Sequence, residues 1–228
     1  MGIKARPFCY RVAPKSESIV VVGAGPSVTD NIGAAAEYAR ENKSIVLCAN
    51  YYERAIDYDY IVYVDVKKYK ETIPTLPESK IIAHRGIPLS DRVLKKHKIW
   101  RIALNIKKKH LYVSRGVRFP SDGKFPYCSL GNAGFTSALM SAYFKPKKVL
   151  LVGFDGPIFK KDGSPKSIAK DDGRFHNFVN LGRAARKVKH FRSRLIPFLK
   201  SKGIVVQAFS NDNLWGINRR EAQIEDIG

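Results

Sequence analysis

The sequence is short of acid. Its 228 residues hold 20 Asp and Glu against 41 Lys and Arg, a formal net charge of +21. It is also short of cysteine, with Cys9, Cys48 and Cys128 far apart and odd in number. That excludes a disulfide framework and a Cys-based zinc site. No apolar run approaches the roughly 18 residues that would cross a bilayer. The stretch from Met1 to Val12 lacks the apolar middle of a secretory signal. These absences lead us to expect a protein of a reducing, cytoplasmic compartment with no transmembrane segment. Nor is the chain short of core-forming residues. Its 44% hydrophobic content is ordinary for a folded domain and too high for a disordered one.

The excess of positive charge is clustered. From Leu94 to Ser121 there are nine basic residues and no acid; from Arg183 to Lys202 there are eight more, again without acid. Ordinary solvated faces mix both signs. Runs of one sign point to a polyanionic partner, of which nucleic acid is the commonest. Lys107, Lys108, Lys109, Arg115, Arg118, Arg183, Arg186 and Lys187 are the candidate contacts. Tyr112, Phe119, Phe125, Tyr127, Phe159 and Phe175 lie near the basic loops. That interleaving suits phosphate contacts with stacking on an exposed base, or anchorage of the loops to the core.

Apolar, β-branched runs recur at Ile19–Val22, Ile45–Ala49, Tyr60–Asp65, Lys80–Ala83, Ile99–Leu104, Val149–Val152 and Ile204–Phe209. Several are continuously apolar, as strands covered on both faces are. Between them lie helical patterns. One is capped by Thr29 or Asp30 and runs through Glu41. A second, from Phe135 to Phe144, is rich in small residues. A third, from Asn180 to Ser201, contains Pro197, where a kink or early end is expected, and stops at Gly203. Alternating strands and helices predict a Rossmann-like α/β domain, with an open, mostly parallel sheet and helices on both faces. A single domain spans 1–228, with basic loop insertions near 107–128 and 159–175. The polar tail from Asn218 is expected to fray.

Val20-Val21-Val22-Gly23-Ala24-Gly25-Pro26-Ser27 reads as strand, glycine turn and helix start. Such a turn brings backbone close to a ligand, and the helix start favours phosphate. Ser27 adds a hydroxyl. Val28 stands where a dinucleotide fingerprint has its third glycine, and no acid ends the second strand. NAD is therefore disfavoured while a nucleotide is not.

Three landmarks follow in order: Gly23-Ala24-Gly25-Pro26-Ser27, then Cys48-Ala49-Asn50-Tyr51-Tyr52, then Asn132-Ala133-Gly134-Phe135-Thr136 leading to Val149-Leu150-Leu151-Val152-Gly153-Phe154-Asp155. This set resembles the bacterial family-42 sialyltransferases and their relatives, the archaeal pterin pyrophosphokinases, over most of Ser18 to Ser210. The resemblance implies a GT-A-like variant of the Rossmann arrangement and a nucleotide-sugar donor, a UDP- or CMP-sugar. Gly23, Gly25, Pro26, Ser27 and Asn50 would hold its nucleotide. Asn132, Gly134 and Thr136 would meet its phosphate and sugar, although Ala133 departs from the hydroxyl residue frequent there. Gly153 and Asp155 would line the pocket. His176 stands where the family has its general base, a role suited to an imidazole near neutrality. His84, His97, His110 and His190 are weaker candidates, and His97, among lysines, is expected to be solvated.

A metal site is not expected. Asp57-Tyr58-Asp59 precedes the third strand, at the edge opposite the ligand side, and reads as a solvated turn. Asp65 stands alone, and Asp171-Asp172 are adjacent in a loop. The sialyltransferases are metal-independent, so no essential cofactor is expected. Joined to the charge, the resemblance leads to a phage-type DNA glycosyltransferase acting on a hydroxymethylated base such as 5-hydroxymethylcytosine, in a host cytoplasm. A surface-glycan transferase, a Mg-dependent diphosphotransferase on a pterin-like alcohol and a non-catalytic nucleic-acid binder are the alternatives. No oligomeric interface is evident in the sequence.

Overall fold

A computed structural model of the chain describes residues 13–25, 27–51, 55–84, 86–102, 133–154 and 195–209, together with two short strands at Arg6–Pro7 and Asn218–Arg219. The strands are β1 (Arg6–Pro7), β2 (Ser18–Val22), β3 (Ile45–Ala49), β4 (Tyr60–Tyr63), β5 (Lys80–His84), β6 (Lys98–Ile102), β7 (Lys148–Val152), β8 (Val205–Phe209) and β9 (Asn218–Arg219). They form one sheet in the order β1-β6-β5-β4-β3-β2-β7-β8-β9. Every pairing among them is parallel. The Rossmann-like expectation holds, and each of the seven expected apolar runs contains most of one strand.

The sheet is covered on both faces because its side chains alternate between two apolar layers. Ile19, Val21, Leu47, Val62, Ile82, Val149 and Leu151 face one layer. Val20, Val22, Val46, Cys48, Ile61, Ile81, Leu150 and Val152 face the other. The second layer is closed by α1 (Val28–Glu41), α2 (Val66–Thr72) and α3 (Asp91–Lys96). The first is closed by α4 (Ala133–Ser141), its 3₁₀ extension Ala142–Phe144 and α5 (Ile196–Ser201). Helix α4 carries no charge, and all but one of its residues are buried. The Ser137 and Ser141 hydroxyls donate to carbonyls one turn back, Ala133 at 2.8 Å and Ala138 at 2.6 Å. Small side chains that satisfy themselves this way let the helix lie against β2, β3, β4 and β7 at the centre of the sheet.

Several local expectations need correction. Helix α1 begins at Val28, with Ser27 in the cap position, and not after Thr29 or Asp30. The Val28 N–H donates to the Gly25 carbonyl at 3.1 Å, so the turn passes directly into the helix. His97 is buried, with 4% of its surface exposed, where α3 turns into β6. Asn218–Arg219 pairs with Gln207 and Ala208, because β8 otherwise presents open backbone groups on that side. Helices α2 and α3 have no counterpart among the helical patterns of the sequence. At seven and six residues they are too short to show a period. Their caps are their signal: Asp65 accepts from the N–H groups of Lys67 and Lys68 at 2.8 and 3.1 Å, and Ser90 from Val93 at 3.4 Å. Pro197 lies in the first turn of α5, where its missing N–H breaks no internal bond. The rest of the expected helix from Asn180, and both loop insertions, lie outside the described residues. No described helix is long and apolar enough to cross a membrane.

Candidate active site

The chain leaves β2 in one direction through β3, β4, β5 and β6, then returns to the far side of β2 as β7 and β8. The order reverses between β2 and β7, and the carboxyl ends of those strands are where an open α/β sheet receives ligands. Two glycine segments meet there. The N–H of Gly23 donates to the Val152 carbonyl at 2.7 Å, and that of Gly25 to the Gly153 carbonyl at 2.9 Å. A Cβ on Gly23 would stand 2.5 Å from the Gly153 oxygen. Gly153 has φ +69°, and a Cβ there would run into Val28 Cγ2. The glycines thus approach each other, and the amides of Gly23 and Gly25 are committed to the end of β7. The Val28 N–H is likewise spent on the Gly25 carbonyl, so what the turn leaves for an anion is the amides of Thr29 and Asp30 in the first turn of α1.

A second helix start joins the first. Helix α4 feeds β7, so it runs antiparallel to the strands and its first turn, Ala133–Thr136, lies at the same carboxyl edge on the opposite face. Gly134 is half-buried in that turn and Thr136 is buried. The positive ends of two helix dipoles therefore flank the reversal point. Ser27 is fully buried beneath the turn and makes no side-chain cap bond. Its carbonyl accepts from both the N–H and the Nδ2 of Asn31, at 3.1 and 2.8 Å. Burial puts its hydroxyl under the turn and away from the surface where a donor would arrive.

Asn50 directly follows β3 with φ +65°, a left-handed backbone that Asn tolerates better than most residues. Its N–H donates to the Val62 carbonyl at 2.9 Å, and its Oδ1 accepts from Val64 N–H at 3.3 Å. The side chain ties the ends of β3 and β4 together. Its Nδ2 has no partner among the described residues.

One group at this edge escapes sequence reasoning. Lys68, on α2, is buried and makes a 2.9 Å ion pair with Glu71. Its ammonium lies 5.1 Å from the Tyr51 ring centre. Burial alone would lower its pKa, but hydrogen bonds to Tyr51 and Glu71 outweigh that and hold it above the ordinary lysine value. Burial raises the Tyr51 phenol, partly offset by Lys68. Lys68 is thus a fixed positive charge next to the end of β3. Its spacing of three residues from both Asp65 and Glu71 is the available signal.

The other candidates sort by edge. His84 ends β5, three strands from β2, about 14 Å away. Its Nδ1 accepts from Gly86 N–H at 3.2 Å, while burial and then Arg101 keep its pKa below the usual value. Arg101 pins the same loop by donating from Nη1 to the His84 and Ile87 carbonyls, at 2.9 and 2.7 Å. At the amino edge, Asp59 Oδ2 accepts from Val46 N–H at 2.9 Å. It closes a turn, and Asp57 beside it is exposed. Asp65 caps α2. Among the described residues no group of three or more His, Cys, Asp or Glu is placed to hold a metal ion. Pro26, Asn132, Asp155, His176, and the basic set Lys107, Lys108, Lys109, Arg115, Arg118, Arg183, Arg186 and Lys187 lie outside the described residues. The carboxyl edge therefore brings together Gly23, Gly25, Ser27, Asn50, Gly134, Thr136 and Gly153.

No protein-family model matches the chain, and no curated protein matches it in sequence. Among solved structures it is similar to the MAf glycosyltransferase from Magnetospirillum magneticum AMB-1, with a TM-score of 0.62 at 13% identity. The match covers 96% of this chain and 36% of that one, so the chain spans about a third of its neighbour's length. At that identity the likeness is one of fold.

Proposed function

We propose that this chain is a glycosyltransferase that moves a sugar from a nucleotide-sugar to a hydroxyl of a polyanionic acceptor. The supporting observation is the reversal point between β2 and β7, where the first turns of α1 and α4 lie at one edge of the sheet on opposite faces. A leaving nucleotide gains negative charge on its phosphate as the anomeric bond breaks, and two helix N-termini are suited to that charge. Asn50, with Nδ2 available, is placed to meet the nucleotide. In this reading the acceptor hydroxyl attacks the anomeric carbon, its proton passes to His176, and the nucleotide departs with the bonding electron pair. The similar solved structure is that of a glycosyltransferase, which agrees with this chemistry.

The acceptor we favour is a hydroxymethylated base in DNA, because a net charge of +21 exceeds what a small neutral acceptor would require. A base within a duplex has to be extruded to react, and basic segments with aromatics suit that task. The test is mass spectrometry of nucleosides from hydroxymethylcytosine DNA incubated with the protein and a pool of nucleotide-sugars. A pentose or hexose mass gain is expected. No gain from a pool confirmed intact, with hydroxymethyluracil DNA also unchanged, would sink the DNA acceptor and favour a surface glycan.

A further inference from the structure

The amino-terminal edge of the sheet, opposite the candidate active site, carries a row of lysines. Lys43 precedes β3, Lys15 precedes β2, Lys145, Lys147 and Lys148 lead through the start of β7, and Lys202 leads into β8; all six are exposed. Strands β3, β2, β7 and β8 are consecutive neighbours, so the row runs for about 14 Å along one edge. Its turns are tied to one another. The N–H groups of Lys147 and Lys148 donate to the Glu17 carbonyl at 2.8 and 3.0 Å, and Val205 N–H donates to the Lys147 carbonyl at 2.9 Å. Two acids lie among these turns: Glu17, whose carboxylate is paired with Lys147 at 2.7 Å, and exposed Glu41, at the end of α1 two residues before Lys43. Asp57 and Asp59, before β4, bound the row on that side.

Two of these lysines occupy backbone that lysine does not favour. Lys43 has φ +46° and Lys145 has φ +52°, each just past the end of a helix. Glycine is the ordinary occupant of that position, as Gly203 is after α5, at φ +74°. Lysine in the left-handed region twice, on one edge, is the kind of outlier from which a role is inferred.

We propose that this edge holds the sugar-phosphate backbone of a polynucleotide, at a site separate from the candidate active site. Lysine supplies point charges without a planar fork for reading bases, so it would touch phosphates and act independently of sequence. A row about 14 Å long is long enough to meet more than one phosphate of a strand. The charges form a line, and Val205 is the large apolar side chain exposed within it among the described residues. A line of charge suits a polymer better than a bilayer plane. The strands separate this edge from the candidate active site by about 16 Å, so it would grip a stretch of polymer other than the one presenting a reactive group.

The test is fluorescence anisotropy with a labelled mixed-sequence DNA duplex and no sugar donor, between about 50 and 200 mM salt. Lys43→Gly/Lys145→Gly should lower the slope of log K against log salt by about 1.8, at roughly 0.9 for each phosphate no longer neutralised. Its melting temperature should hold or rise. Lys148→Gln/Lys202→Gln leaves the left-handed turns intact and should lower the slope equally, so it decides the matter whatever the first pair does to folding. Lys67→Gln/Lys70→Gln removes the same charge from exposed positions on α2 and should change the slope less. Equal slopes for all three variants would overturn the proposal in favour of net charge alone. Edge variants that bind duplex as the parent does, yet no longer bind phosphatidylserine vesicles, would overturn it in favour of a membrane. Because no sugar is transferred in this assay, the site can fail while the transferase reading stands, and the reverse.

Discussion

Gly23 and Gly153 are in contact across the reversal point of the sheet, close enough that a Cβ on Gly23 would stand 2.5 Å from the Gly153 oxygen. The contact joins the loops that follow β2 and β7. It makes both glycines structural requirements of the site whatever ligand it receives.

Gly153→Ala should therefore destabilise the fold. The left-handed backbone costs a non-glycine residue about 1–2 kcal/mol, and crowding against Val28 adds about 1–3 kcal/mol. Gly33→Ala is the control. Gly33 lies inside α1 with nothing within 4 Å of an added Cβ, and the change should stabilise by about 0.5–1 kcal/mol. Urea midpoints of the two variants should move in opposite directions. A midpoint for Gly153→Ala equal to that of the parent would refute the interlock.

Asn50→Gly keeps the left-handed backbone and removes the amide. The bond to Val64 N–H is long, at 3.3 Å, so stability should fall by no more than about 1 kcal/mol. Affinity for the nucleotide should fall by roughly tenfold if Nδ2 meets it. Calorimetric titration with CMP and UDP checks this; unchanged binding of whichever nucleotide the parent binds would remove Asn50 from the donor site.

His176→Ala should reduce turnover by about 10²- to 10⁴-fold, the usual contribution of a general base. Donor affinity should be unchanged. A variant as active as the parent would assign the proton to another group.

Acid should weaken the fold through His97 and His84. Burial comes first in holding the His97 imidazole below its ordinary pKa, with Lys96 adding to it; burial and then Arg101 do the same for His84. His97 Nδ1 is buried without a hydrogen-bond partner in the described structure. The unfolded chain therefore binds more protons, and stability rises with pH in this range. The contribution is complete above about pH 6.5, the unperturbed value, and is lost as pH falls below it. Chemical denaturation roughly one pH unit above and one below that value should show a lower midpoint in acid. His97→Phe should flatten the difference, and an identical pH response in that variant would exclude His97 as a source.

Much of this architecture is legible in the sequence, because its signals are local. Runs such as Ile45–Ala49 are apolar without alternation, which only a strand covered on both faces requires. The small residues of Phe135–Phe144 announce a helix packed close to the sheet, and glycines at 23 and 25 mark the turn. What depended on the tertiary structure was which group meets which. The pairing of Gly23 with Gly153 joins residues 130 apart in number, and no local pattern specifies it. The burial of His97 follows from the turn into β6, although its lysine neighbours suggest solvent. Lys68 became a fixed charge beside Asn50 because α2 docks where β4 ends. The lysines at 15, 43, 145, 148 and 202 are scattered along the chain, and parallel strand pairing brings them to one edge. Composition determined that the protein carries excess positive charge; the order of the strands decided where that charge is gathered, since side chains distant in sequence become neighbours only through backbone pairing.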